Sequence, residues 1–134
     1  MNGFLDASVL VEGCLARSGK FKEADGLIES GGYTSGHALA EAYATLSGDR
    51  RLKIDPRDAA QMVADCAKNL KIGDLTHTDI LELVRNAPSR GIRGGSFYDA
   101  VHAEVARKLG CTRIHTLNPG HFRHVAPDLE IVTL

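Results

Sequence analysis

Short apolar runs alternate along this chain with stretches whose apolar positions recur three or four residues apart. Residues 1–5 are mostly apolar and predict a brief buried strand. Ser8 is placed to cap a short helix that runs through Val9-Leu10-Val11 to about Ala16. Phe21, Ala24, Leu27 and Ile28 predict a second helix, which Gly31-Gly32 stops. Residues 33–35 read as a second strand, and the next helix carries Leu39, Tyr43 and Leu46 as its apolar stripe. Residues 47–54 read as a loop. Asp55-Pro56-Arg57-Asp58 starts another helix: an acceptor at the cap, proline at the first helical position and an acid at the third. Lys71-Ile72 begins a short strand. Thr76-His77-Thr78-Asp79 resembles a capping box ahead of Ile80, Leu83, Val84 and Ala87, and Pro88 closes that pattern. Residues 91–95 form a glycine-rich turn. Ser96 then opens a helix with Val101, Val105 and Leu109 inward and Gly110 as its stop. Residues 112–117 and 129–134 predict the last two strands. Strands alternating with helices place the chain in the α/β class with a parallel sheet. No repeat or linker divides it, so a single domain over 1–134 is expected.

Composition narrows the function more than the fold. At 134 residues, 43% hydrophobic and 25% charged, the chain has the make-up of a soluble globular protein with room for a proper core. A net charge of −1 and a pI of about 6.6 exclude a broadly basic surface. Any nucleic-acid contact must come from a local basic patch or one assembled by oligomerisation. Cys14, Cys66 and Cys111 are odd in number and far apart, without a Cys-x-x-Cys pair. They read as free thiols of a reducing compartment rather than a disulfide frame or zinc site. No basic leader precedes a long apolar stretch, and no run reaches the length of a membrane span. The expectation is a cytoplasmic protein.

Four polar residues stand at or near passages between a strand and a helix: Asp6, Glu41, Asp99 and Asn118. In an open parallel sheet, strand ends and the following helix starts share one rim, where ligands bind. Three carboxylates gathered there repel unless a cation joins them or a proton neutralises one. That points to a divalent metal. Each residue also has a plain structural reading. Asp6 could only cap the first helix, and Glu41 could be a solvated residue on an amphipathic one. Ser96-Phe-Tyr-Asp99 fits a capping box, and Asn118-Pro119-Gly120 is a turn signal.

The order and spacing of four segments carry a resemblance. They are Phe-Leu-Asp6-Ala-Ser-Val-Leu, His-Ala-Leu-Ala-Glu41-Ala-Tyr-Ala, Gly-Gly-Ser-Phe-Tyr-Asp99-Ala-Val-His-Ala and Thr-Leu-Asn118-Pro-Gly-His-Phe. Together they resemble the PIN domains, and most of all the VapC-type toxins of bacterial toxin–antitoxin pairs. The resemblance covers essentially the whole chain. It implies a three-layer α/β/α fold around a central, mainly parallel sheet, and a metal-dependent endoribonuclease that hydrolyses RNA phosphodiester bonds with metal-activated water. The family's acidic positions fall on Asp6, Glu41 and Asp99, and its fourth position on Asn118. Ser8 matches the hydroxylic residue that accompanies the first acid. The resemblance also implies a VapB-type antitoxin and a homodimer. All-oxygen ligands suit Mg2+ or Mn2+ better than zinc. Asp6 and Asp99 are the expected direct ligands, with Glu41 either ligating or orienting the water. Arg50, Arg51, Lys53, Arg90, Arg93, His121, Arg123 and His124 are candidates for gripping RNA. Glu104 reads as surface charge, one turn beyond Asp99. Two other functions remain open on sequence alone: a PIN-like module that binds RNA or protein without turnover, and a phosphatase with Asp6 as nucleophile.

Overall fold

The computed structural model describes residues 3–134. The first strand, β1, is Gly3–Leu5, so the first two positions of the expected 1–5 strand lie outside the described residues. The helix α1 (Ala7–Cys14) follows at once, then α2 (Phe21–Glu29), β2 (Tyr33–Ser35), α3 (Gly36–Gly48) and α4 (Pro56–Lys68). The second half runs β3 (Lys71–Gly73), α5 (His77–Asn86), α6 (Ser96–Lys108), β4 (Arg113–Thr116), α7 (Pro119–Arg123) and β5 (Glu130–Thr133). The five strands lie in the order β3-β2-β1-β4-β5, and every neighbouring pair is parallel. This is the three-layer α/β/α arrangement.

Register lines up one row of side chains across the sheet. Tyr33, Phe4, Ile114 and Ile131 are successive partners. That row packs under α6, whose Ala100, Ala103, Val105 and Ala106 are buried with Phe122 of α7. Leu5 points the other way, into a second cluster built from Val9 and Leu10 of α1, Ala24 and Ile28 of α2, and Ala38 and Ala42 of α3. The period-two alternation of β1 thus feeds both layers from three residues. α3 departs from its expected stripe. Its buried positions are Ala38, Ala42 and Leu46, while Tyr43 is 39% exposed. Small residues let the helix lie close to its neighbours, and Leu46 alone supplies about 1.5–3 kcal/mol of apolar burial.

The caps explain where elements begin, and two differ from expectation. Asp6, not Ser8, is the N-cap of α1 and accepts from the Val9 N–H at 3.2 Å. Asp6 sits one residue past the strand, where the backbone is still extended, and its carboxylate reaches the third helical N–H. Ser96 is the first residue of α6 rather than its cap. Its hydroxyl donates to the Arg93 carbonyl at 2.8 Å, so no capping box forms with Asp99. Asp55 and Thr76 cap α4 and α5 as their sequences require, Thr76 with Asp79 in a full capping box. The stretch after α3 contains one 3-10 turn, Arg50–Leu52, capped by Asp49. Asn118-Pro119 opens α7 instead of a simple turn, with proline at its first position. The three cysteines are free thiols, and folding brings Cys14 of α1 and Cys66 of α4 to an Sγ–Sγ separation of 3.4 Å.

Candidate active site

The strand order makes β1 the point where the chain's winding reverses. From β1 it moves to β2 and β3 on one side, then returns to β4 and β5 on the other. Beyond the carboxyl ends of β1 and β4, the following connections part in opposite directions and leave a crevice. A cleft of about 410 Å³ opens there, lined by Asp6, Ser8, Glu41, Asp99, Asn118 and His121, among others. Four separate segments of sequence supply those side chains: three come from helix starts or strand ends, and Glu41 from the middle of α3.

Asp6 is the most tightly held. It is only 7% exposed. Oδ1 accepts from the Ser8 hydroxyl at 2.5 Å, and Oδ2 accepts from the Thr116 hydroxyl at 2.6 Å. The Ser8 oxygen in turn accepts from the Leu117 N–H at 3.0 Å, and the Thr116 oxygen from the Asn118 N–H at 2.9 Å. This chain of bonds ties the end of β1 to the end of β4 and fixes the carboxylate's orientation. Oδ1 also takes the Val9 N–H, so of the carboxylate's roughly four acceptor sites the open one is on Oδ2, beside the Thr116 bond. Capping a helix and binding a cation are therefore compatible roles for Asp6.

Glu41 reaches the rim from α3, in the layer opposite α6. Its Oε1 meets His102 Nε2 at 2.6 Å and His37 Nε2 at 3.5 Å. His102 is buried on α6 against Phe4, with ring centroids 6.0 Å apart. The hydrogen bond from His102 holds the Glu41 carboxyl below its ordinary range, against the opposing effect of burial. Asp99, one turn before His102, behaves the other way. Burial pushes its carboxyl up, and the charges of Glu41 and Asp6 add to that, while His121 and His102 oppose it. With Ser96 engaged elsewhere, no donor among the described residues answers its charge.

That unanswered carboxylate shares the cleft with those of Asp6 and Glu41, an oxygen-donor set that fits a hard divalent cation such as Mg2+ or Mn2+. The ligand atoms of Asp6, Glu41 and Asp99 are not all drawn within one ion's direct reach. Among the described residues, the trio whose ligand atoms all lie within 4.8 Å of one another is His37, Glu41 and His102. A cation that keeps several waters and takes one or two protein carboxylates suits the wider spacing.

The expected RNA-gripping residues divide. Ser8 and His121 line the cleft, and His124 lines a neighbouring one with His37, Tyr98 and His121. Arg50, Arg51, Lys53, Arg93 and Arg123 are exposed and line neither. Arg51 is bound to Asp49, and Arg90 donates to the Val125 carbonyl at 3.0 Å. Glu104 pairs with Arg107 away from the cleft. Sequence reasoning missed His102, His37 and Thr116. His102 stands three residues after Asp99 and His37 four before Glu41, spacings that share a helix face. Thr116 gives no such signal, since its role depends on β4 lying beside β1.

The family profile of the PIN domain matches residues 3–127. The chain belongs to the PIN-domain family. Its fold superposes on PAE2754 of Pyrobaculum aerophilum with a TM-score of 0.67 at 22% identity, covering 97% of this chain and 88% of that one. A second superposition, on Mycobacterium tuberculosis VapC20, described as a sarcin–ricin loop cleaving toxin, has a TM-score of 0.64 at 24% identity over 84% and 86%. At such identities the two structures establish a shared PIN fold. No curated protein matches the sequence significantly. No helix among the described residues is long and apolar enough to cross a membrane.

Proposed function

We propose that this PIN-domain chain is a metal-dependent endoribonuclease that acts as the toxin of a toxin–antitoxin pair. The observation that carries the reading is the convergence of Asp6, Glu41, Asp99 and Asn118 on one cleft at the reversal point of the sheet. Family membership supports a nuclease of this type, and the VapC20 description supports RNA as the substrate class. Asp6 and Asp99 hold the cation directly, the first rigidly and the second with a carboxylate that has no other partner. A divalent ion in that position supplies Lewis acidity to the phosphoryl oxygens and lowers the pKa of the attacking water. Glu41 is kept anionic by His102 through Oε1, which leaves Oε2 to accept the water's proton. Ser8 and Asn118 fix the strand ends around the phosphate, and His121 faces it from α7. A VapB-type antitoxin that covers this cleft, and a homodimer, complete the proposal.

The test is cleavage of a structured RNA with magnesium or manganese, comparing the protein as it stands with Asp6→Asn. Loss of cleavage in the variant, with the fold intact by circular dichroism, supports the reading. Equal cleavage by both proteins, or none by either, removes it.

A further inference from the structure

We infer that His37, Glu41 and His102 form a second cation site, for a borderline transition-metal ion such as zinc, that shares Glu41 with the oxygen-donor cleft. The inference rests on the proposed role of Glu41 only for its consequence; the site stands on its own geometry.

Three ligand atoms, two imidazole nitrogens and one carboxylate oxygen, lie within 4.8 Å of one another. His102 Nε2 is 2.6 Å and His37 Nε2 3.5 Å from the same Glu41 oxygen, so small side-chain adjustments close the trio around one ion. Two imidazoles and a carboxylate with the remaining positions open is a donor set that suits zinc and its neighbours, not magnesium.

The surroundings hold two of the ligands in place. His102 is 4% exposed and packs against Phe4. The His37 ring stacks on Tyr98, with centroids 5.7 Å apart and planes within 5°. His37 and Glu41 are one helical turn apart on α3, so their separation is set by the helix. Access is open: a cleft of about 800 Å³, lined by His37, Glu41, Tyr98 and Asp99, leads to the trio from outside.

A further observation concerns the tautomer of His102. Its Nδ1 is buried and has no hydrogen-bond partner. The 2.6 Å contact with the Glu41 oxygen keeps the proton on Nε2 while no ion is bound, and no bond at Nδ1 opposes its transfer there. With the proton on Nε2, the ring donates to Glu41. With it on Nδ1, the Nε2 lone pair faces an anionic oxygen, an arrangement that calls for a cation between them. The ring can therefore change from donor to ligand without breaking any bond at Nδ1. An ion bound there would take Oε1 and draw charge from the carboxylate, making Oε2 a weaker acceptor of the water's proton, which couples the two sites.

The experiment uses the full chain without a histidine tag, stripped with chelator and titrated with Co2+ as a visible-absorbing stand-in for zinc. Expected are d–d bands that saturate at one ion per chain and disappear when Zn2+ is added. His37→Ala should weaken binding by at least the roughly 10- to 100-fold that loss of an outer-shell partner already costs, and Asp6→Asn should leave the bands in place. Absence of any bands overturns the inference. So does equal binding by His37→Ala, or loss in Asp6→Asn alone. Bands that vanish only in Cys66→Ser, with thiolate charge-transfer absorption, would place the ion on the Cys14–Cys66 pair and overturn it as well. The readout is a spectrum, so none of these outcomes depends on whether RNA is cut.

Discussion

Asp99 occupies the first turn of α6, where burial and the charges of Glu41 and Asp6 raise its pKa from 3.8. In the unfolded chain the carboxyl ionises at its ordinary value; in the fold it keeps its proton to higher pH. Its contribution to stability is therefore full below the unfolded pKa and is lost as pH rises through the folded one. At pH 7, without a cation, the ionised group opposes folding. Asp99→Asn should raise Tm in chelator at pH 7 and yet reduce RNA cleavage by about 100-fold or more, the scale of losing one electrostatic stabiliser of a transition state. Thermal melts and initial rates on the same samples check this, and a lowered Tm would mean that the carboxylate is a structural group. Glu41 has the opposite sign. His102 lowers its pKa, so its stabilising effect is present above the ordinary 4.5 and fades as pH falls through the lowered value. His102→Ala should move the acid limb of the kcat–pH profile upward and cost about 10–100-fold in rate. His102→Gln, which restores a donor, should recover part of both. An unmoved acid limb would leave His102 with a packing role only.

At the scale of elements, the position of Asp6 depends on how closely β1 and β4 lie together. A Cβ built on Gly3 would stand 2.5 Å from His115 Nε2 and 2.7 Å from His115 Cδ2 on the neighbouring strand. Glycine is required there by the approach of a buried ring. Gly3→Ala should destabilise the fold by about 1–3 kcal/mol, the usual cost of overpacking. His115→Ala in the same chain should return most of that loss, a coupling that a double-mutant cycle in urea measures. Additive effects would show that the two residues do not compete for space. Such contacts mark the limit of what the chain discloses before it folds. Asp55, Thr76 and Gly110 announce their helix ends because a cap acts over a few residues. β2 is legible for the same local reason, bounded by Gly31-Gly32 before it and by the Ser35 cap of α3 after it. The contacts Thr116–Asp6 and His102–Glu41 span 110 and 61 positions. No periodicity encodes them, since they arise only when strand order sets β4 beside β1 and α6 across the rim from α3. The capping-box alternative for Asp99, set against the site reading, is not realised: Ser96 donates to the Arg93 carbonyl instead, next to Gly94 at φ 60°.

Across the whole molecule, an all-parallel sheet sends every strand's carboxyl end to the same side, and this chain places three carboxylates near that rim. The fold itself holds them there: Asp6 through its hydrogen bonds to Ser8 and Thr116, Asp99 through α6, Glu41 through α3 and His102. Their mutual repulsion is a cost that the two hydrophobic layers offset in the absence of an ion. A cation bound by the folded state and not by the unfolded one should therefore stabilise the molecule by mass action, about 2.7 kcal/mol at a hundredfold excess over Kd. For a domain of this size that is several degrees of Tm. Manganese or magnesium added to chelator-treated protein at pH 7 should produce the rise, and Asp6→Asn with Asp99→Asn should abolish it. Potassium chloride at matched ionic strength separates binding from screening, because screening would act on exposed charges in both proteins alike. A rise that survives in the double variant, or that potassium reproduces, would mean that the rim carboxylates hold no ion, and the catalytic reading would lose its physical basis along with it.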